Sequence, residues 1–100
     1  MNKTLKRVID TFGDEAQLIV AVEELSELQK AITKHLRGKG DPVNIAEEIA
    51  DVEIMLEQLK LIFPYIVEDI EEWKQVKIER IECICDEADR ELLINLNDRM

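Results

Sequence analysis

The chain has 100 residues, a formal net charge of −10, and only 3 Gly and 2 Pro. This length predicts one domain over residues 1–100, or one subunit of an oligomer. The negative charge argues against a nucleic-acid backbone or an anionic membrane as the main partner, because both would repel it. Cations, and small ligands carried by cations, are the partners that this charge favours.

The sequence also predicts a cytoplasmic location. The N-terminal stretch MNKTLKRVID lacks the apolar run of a signal peptide, and no apolar stretch approaches the roughly 20 residues of a membrane span. Cys83 and Cys85 lie two apart on a predicted helix, which turns them to different sides and disfavours a disulfide between them. One His and two Cys do not make a typical zinc ligand set.

Few Gly and Pro, together with repeated Glu, Lys, Leu, Ile and Ala, predict an all-α fold. The first helix is expected over about residues 2–12, and Gly13 ends it. Asp14 is the expected N-cap of a second helix that runs to about Arg37. Leu5, Val8, Ile9 and Phe12 are expected on one side of the first helix.

The stretch 38-GKGDP-42 is the clearest loop, and a third helix is expected from about Pro42 to Phe63. Pro64 then kinks the chain or starts a fourth helix, which continues to the high 80s or to the end. We expect a helical bundle of about four helices. Because so short a chain rarely closes a core around such long apolar faces, we expect oligomerisation to complete it.

Two short acidic motifs, 23-EELSE-27 and 48-EIAD-51, lie on the second and third predicted helices. At about 100° per residue, Glu48 and Asp51 fall inside the apolar stripe of the third helix, whose other acids point elsewhere. The apolar members of that stripe are Ile45, Val52, Met55, Leu59 and Ile62.

The second helix has two rows at helical spacing. Glu24 borders the main apolar row, Glu27 lies farther round, and Glu23 points outward. The main row consists of Leu18, Ala21, Val22, Leu25, Leu28 and Ile32. The second row consists of Val20, Glu24, Glu27 and Ala31.

On the fourth helix, Lys77 lies in the middle of an apolar stripe, and Arg80 lies at its edge. The apolar members of this stripe are Ile66, Ile70, Trp73, Ile81, Ile84 and Ala88. Buried carboxylates are costly unless cations, protons or a metal neutralise them. One interpretation is therefore a bundle in which the four inward carboxylates form buried salt bridges with Lys77 and Arg80.

The other interpretation is a divalent-metal site made by two carboxylates from each of two helices. Hard oxygen ligands suit Mg²⁺ or Mn²⁺. A di-iron bundle would require Glu-x-x-His motifs, and the only His, His35, is preceded at that spacing by Ile32. A Mg²⁺ cluster with cations nearby indicates phosphate chemistry, in which Lys77 and Arg80 could hold the outer phosphate oxygens.

These residues carry a family pattern. The chain resembles the MazG-like, all-α nucleoside triphosphate pyrophosphohydrolases, whose signature is E-E-x-x-E, a spacer, then E-x-x-D. Here the two parts are 23-EELSE-27 and 48-EIAD-51, and 47-EEIADVEIMLEQL-59 is similar to the family's third helix. The resemblance covers roughly residues 14–85.

The resemblance implies hydrolysis of a dNTP or NTP, canonical or not, between its α- and β-phosphates, releasing a monophosphate and pyrophosphate. It implies a homodimer or homotetramer with a Mg²⁺ cofactor, for which Mn²⁺ could substitute. Glu23 would have a supporting role, and Lys77 and Arg80 would contact phosphates. The implied metal ligands, which also form the catalytic cluster, are Glu24, Glu27, Glu48 and Asp51.

Two alternatives stay open at the level of the sequence. The chain could be a non-catalytic, acidic helical bundle that binds a partner. It could also keep the metal and act on another phosphorylated nucleotide derivative. Trp73 and Phe63 could stack on a base, but the commoner role of such aromatic residues is simple packing.

Overall fold

In the computed structural model, which describes residues 2–99, every regular element is helical. The elements are α1 (Asn2–Phe12), α2 (Asp14–Leu36), α3 (Pro42–Ile62), a 3₁₀ turn (Pro64–Ile66) and α4 (Val67–Arg99). The predicted all-α fold with about four helices is confirmed. Within this part of the chain, no helix combines the length and the apolar character that crossing a bilayer requires.

The chain divides into two compact units that meet in sequence between Pro64 and Tyr65. The first unit contains α1, α2 and α3, and α4 belongs to the second. A single domain over residues 1–100 stays a prediction. The candidate site is built entirely in the first unit.

Gly13 forms the junction between α1 and α2. Its φ of +91° and ψ of 158° are accessible to few residues other than glycine. Gly13 itself is the N-cap of α2, so the prediction that Asp14 would cap this helix is wrong. Asp14 instead lies in the first turn with Glu15, where carboxylates interact favourably with the helix dipole. Phe12, predicted on the same side of α1 as Leu5 and Ile9, is 66% exposed at the end of the helix.

The loop between α2 and α3 is held at both ends by backbone hydrogen bonds. Gly38, at φ +75°, and Lys39 donate to the carbonyls of His35 and Lys34, which is the pattern of a Schellman motif. Asp41 then caps α3, because its Oδ1 accepts from the backbone N–H of Val43 at 2.9 Å. So short a loop brings α3 back antiparallel to α2.

The first unit has a small core between its three helices. α2 packs along α3, and α1 packs against both. Small side chains on α2, notably Ala21 and Ala31, let α3 approach closely, and Val52 and Met55 fill the α3 side. The buried apolar residues are Leu5, Ile9, Ala21, Ala31, Val52 and Met55.

α4 is amphipathic, and its described side chains are exposed except for Ile70, which is half-buried. The stripe predicted for it therefore lies at the surface of this chain, with Trp73 and Ile81 each 57% exposed and Ile84 64% exposed. The second unit thus displays a row of large apolar side chains.

Candidate metal centre

Three carboxylates from the two acidic motifs come together in the first unit. Glu24 extends from α2, and Glu48 and Asp51 extend from adjacent turns of α3. One carboxylate oxygen from each residue lies within 4.8 Å of the other two. All three side chains are half-buried, so they sit at the edge of the core.

The α3 side of this cluster follows the predicted stripe. Val52 and Met55 are buried, and Ile45, Leu59 and Ile62 are half-buried. Glu48 and Asp51 share that face because residues three and four apart on a helix are neighbours. Glu48 and Asp51 are half-buried on this face.

The α2 side differs from the prediction. Its buried face contains Gln17, Ala21 and Ala31, and it runs between the two predicted rows with Glu24 near its centre. The larger apolar side chains of the main row lie on the flank instead: Val22, Leu25 and Ile32 are 65%, 47% and 43% exposed. Close approach of the helices requires small residues at the contact, and the alanines provide them.

Glu27, predicted as the fourth ligand, is not among the three converging carboxylates. Its side chain is 51% exposed, and its Oε1 lies 3.4 Å from Nζ of Lys30 on the next turn. Glu27 is still close enough for its negative charge to contribute to raising the pKa of both Glu24 and Glu48. Glu23 is exposed, as predicted from its outward position.

The electrostatics of the cluster favour a cation or a proton. Burial raises the pKa of Glu24 above its ordinary value of 4.5, and the charges of Asp51 and Glu48 raise it further. A protonated Glu24 can also donate a hydrogen bond to Asp51, which raises the same pKa. Burial likewise raises the pKa of Glu48, with Asp51 as the next cause. Three like charges at this distance repel one another, and a bound cation or proton would relieve that repulsion.

The donor set fits a hard divalent cation. All the donor atoms are carboxylate oxygens, which Mg²⁺ and Mn²⁺ prefer. Two oxygens that bind one Mg²⁺ at about 2.1 Å lie at most about 4.2 Å apart. Oxygens that all lie within 4.8 Å of one another can reach such an arrangement by small side-chain rotations. Glu24, Glu48 and Asp51 could therefore hold such an ion.

The predicted phosphate contacts, Lys77 and Arg80, lie on α4 and are exposed. Nζ of Lys77 is 5.9 Å from the centroid of the Trp73 ring, which is a cation–π distance. Lys77 was predicted to lie in the middle of an apolar stripe, and in that stripe Trp73, Ile81 and Ile84 are themselves exposed. The role of both cations towards phosphate stays a prediction.

A cationic groove on α2 was not predicted from the sequence. Lys30, Lys34 and Arg37 line it on successive turns, beside Ser26, Gln29 and Thr33. Thr33 is nine residues from Glu24, which places it on the opposite side of the helix at about 100° per residue. The groove therefore faces away from the three carboxylates and cannot neutralise them.

Two buried glutamines were also missed. Gln17 on α2 and Gln58 on α3 are only 7% and 4% exposed. The Oε1 atom of Gln58 has no hydrogen-bond partner among the described residues. A usable signal was present in the sequence, because Gln17 lies seven residues before Glu24 and Gln58 lies seven residues after Asp51. That spacing returns a helix to nearly the same face.

No protein-family model, curated protein sequence or solved structure matches this chain.

Proposed function

We propose that the protein is a Mg²⁺-dependent nucleoside triphosphate pyrophosphohydrolase that converts a dNTP or NTP to its monophosphate and pyrophosphate. The observation that carries this proposal is the convergence of three half-buried carboxylates from the two acidic motifs. In a chain of net charge −10, an acidic cluster with only a structural role would add repulsion that no favourable interaction offsets. The resemblance of 23-EELSE-27 and 48-EIAD-51 to the MazG-like signature supports the same reaction.

In this proposal Glu24, Glu48 and Asp51 hold the metal. Glu27 completes the set of four ligands by turning from Lys30 towards Glu24, whose pKa its charge already influences. When bound, Mg²⁺ would neutralise charge on the phosphate oxygens and lower the pKa of the attacking water, so that the water could lose its proton at neutral pH.

The remaining steps belong to side chains of this chain. One of the cluster glutamates accepts the proton that the attacking water loses. Lys77 and Arg80 bind the oxygens of the departing pyrophosphate, where a guanidinium can make two parallel hydrogen bonds. Substrate charge and protein charge are both negative, so the metal and these two cations must make binding favourable.

The test is pyrophosphate release from a panel of canonical and modified nucleoside triphosphates in Mg²⁺ or Mn²⁺, with Glu48→Gln alongside the wild type. This change removes a ligand charge while it keeps the side-chain shape. Glu53→Gln is the matched control, because Glu53 is an exposed acid on the same helix. We expect turnover of some triphosphate, a loss of at least about 100-fold in kcat for Glu48→Gln, and no comparable loss for the control. Near-normal hydrolysis by Glu48→Gln would exclude the ligand assignment.

The rival candidate is an acidic helical protein that binds a partner without catalysis. The two candidates differ in their response to Mg²⁺, because an ion that binds only the folded chain must stabilise it. At a Mg²⁺ concentration of about 100 times Kd, the free energy of unfolding should rise by about 2.7 kcal/mol. No rise in Tm with Mg²⁺ or Mn²⁺ would favour the rival. A rise without triphosphate turnover would favour a different phosphorylated nucleotide derivative.

The proposal also includes a homodimer or homotetramer located in the cytoplasm. Large apolar side chains exposed on α4, with Trp73 and Ile84 among them, support association of several copies. The free thiols Cys83 and Cys85 suit a reducing compartment.

A further inference from the structure

We propose that Gln17 and Gln58 form an amide pair that reads the base of the bound nucleotide, an inference that rests on the proposed function. Each is a polar side chain more than nine-tenths buried in the small core of the first unit. Neither takes part in the carboxylate cluster. Buried amides are normally hydrogen-bonded, so an unpartnered one needs an explanation.

The register of the two helices places the amides opposite each other. Glu24 of α2 and Asp51 of α3 lie side by side in the cluster. In an antiparallel pair of helices, equal steps backward along one and forward along the other lead to facing positions. Gln17 and Gln58 are each seven residues from that contact, so the helical register puts them at facing positions along the same seam.

The distance suits a nucleotide. Seven residues of helix correspond to about 10 Å along the axis. In a nucleotide, the ribose separates the hydrogen-bonding edge of the base from the α-phosphate by a comparable distance. A triphosphate held at the carboxylates can therefore direct its base along the seam towards the amides.

The chemistry of the pair is that of a base-reading site. An amide offers one carbonyl acceptor and two N–H donors, which match the paired donor and acceptor edge of a base. Oε1 of Gln58 lacks a donor among the described residues, and an amino or imino group of a base would supply one. Because unfilled buried polar groups penalise the wrong ligand, such a pair discriminates strongly between bases.

Access to the pair requires movement, since both amides are buried. α1 has 11 residues, a length that is marginal for a helix without packing partners. It joins α2 through Gly13, whose backbone conformation is open to glycine and few other residues. In the proposed binding step α1, which packs against both α2 and α3, shifts and admits the base.

The decisive variants are Gln58→Met and Gln17→Met, which keep the side-chain volume and remove the amide. Gln29→Met is the matched control, because Gln29 is exposed on α2. The measurement is kcat/KM for the four canonical deoxynucleoside triphosphates and the four ribonucleoside triphosphates, together with the Tm shift caused by Mg²⁺. We expect the ratio between the best and the worst base to fall by at least about tenfold in both core variants and to stay unchanged in the control. The Mg²⁺-induced shift in Tm should be preserved in all three variants.

An unchanged ratio in folded core variants would overturn the inference and identify the glutamines as structural. Equal turnover of all bases by the wild type would also overturn it, while the proposed function would stand. If the wild type hydrolyses no triphosphate, or a core variant does not fold, ¹⁵N NMR of the wild-type glutamine side chains tests whether the two amides bind a base. Base-dependent shifts of the Gln17 and Gln58 amide signals with deoxynucleoside monophosphates and Mg²⁺ would support the inference, and their absence would overturn it.

Discussion

The raised pKa of Glu24 predicts that the stability of the metal-free protein depends on pH. This pKa is raised by burial and by the neighbouring carboxylates, so the folded chain binds more protons than the unfolded chain just above pH 4.5. The free energy of unfolding must therefore fall as the pH rises from 4.5 through the raised pKa. Above the raised pKa, the full destabilisation by the charge of Glu24 is present.

We expect Glu24→Gln to raise the Tm at pH 7 in the presence of a chelator and to flatten the fall of Tm above pH 4.5. The neutral amide keeps the shape of the side chain and removes one of three like charges. Thermal unfolding between pH 4 and pH 8 measures this effect. Glu53→Gln, an exposed change on α3, is the control for the lower net charge. The same pH dependence in both variants would contradict a penalty specific to the cluster. With Mg²⁺ added, Glu24→Gln should gain less stability than the wild type.

At the scale of single residues, the sequence was sufficient for the α3 part of the cluster and insufficient for the α2 part. Glu48 and Asp51 lie in an unbroken apolar stripe, so helical spacing alone turns them inward. On α2 there are two rows, and the buried face runs between them, with Ala21 from one row and Ala31 from the other. Glu27 lies at the border of the chosen face, where Lys30 on the next turn draws it outward. A helical projection of α2 alone does not show which of its faces packs against α3.

At the scale of elements, the boundaries were predictable because strong local signals mark them. Gly13, the GKGDP loop and Pro64 end or begin helices for backbone reasons that do not depend on packing. The N-cap of α2 was not predictable in this way. Asp14 is a good cap by type, but the positive φ available to Gly13 moves the helix start and places Asp14 in the first turn.

We expect the GKGDP loop to set the register that brings Glu24 to Glu48, and Gly40 is the most constrained of its glycines. A Cβ on Gly40 would lie 2.7 Å from the backbone N and 2.9 Å from Cα of His35, atoms of α2 that cannot rotate away. We expect Gly40→Ala to destabilise the fold by about 1–3 kcal/mol, the usual cost of overpacking. Because relief requires α3 to shift relative to α2, the Mg²⁺-induced rise in Tm should shrink as well.

Urea unfolding with and without Mg²⁺ measures both effects of this substitution. Lys39→Ala is the control, because the neighbouring Lys39 has an exposed side chain and keeps its backbone hydrogen bond in this variant. Wild-type stability in Gly40→Ala would show that the loop can relax without cost. A loss of stability with an unchanged response to Mg²⁺ would show that the loop does not set the carboxylate register.

At the scale of the whole molecule, the apolar content exceeds what the buried core uses. Among the described residues few apolar side chains are buried, whereas Leu36, Val22 and Ile84 are 78%, 65% and 64% exposed. Soluble monomers rarely expose contiguous apolar patches larger than a few hundred Å². The sequence could predict this surplus from the long apolar faces, but the side chains left outside depend on how closely the helices pack.

The excess of exposed apolar side chains predicts that copies of the chain associate and that this association depends on α4. We expect light scattering at micromolar concentration to find two or four times the chain mass of 11.6 kDa. Ile84→Gln should shift the protein towards the monomer, because it removes apolar surface from the exposed row of α4. Glu82→Gln is the control, since it introduces the same residue at an exposed polar position nearby. If association stabilises the fold, the Tm of the wild type must also rise with protein concentration, and that of Ile84→Gln must rise less. A wild-type monomer with a Tm independent of concentration would exclude an oligomer that completes the core.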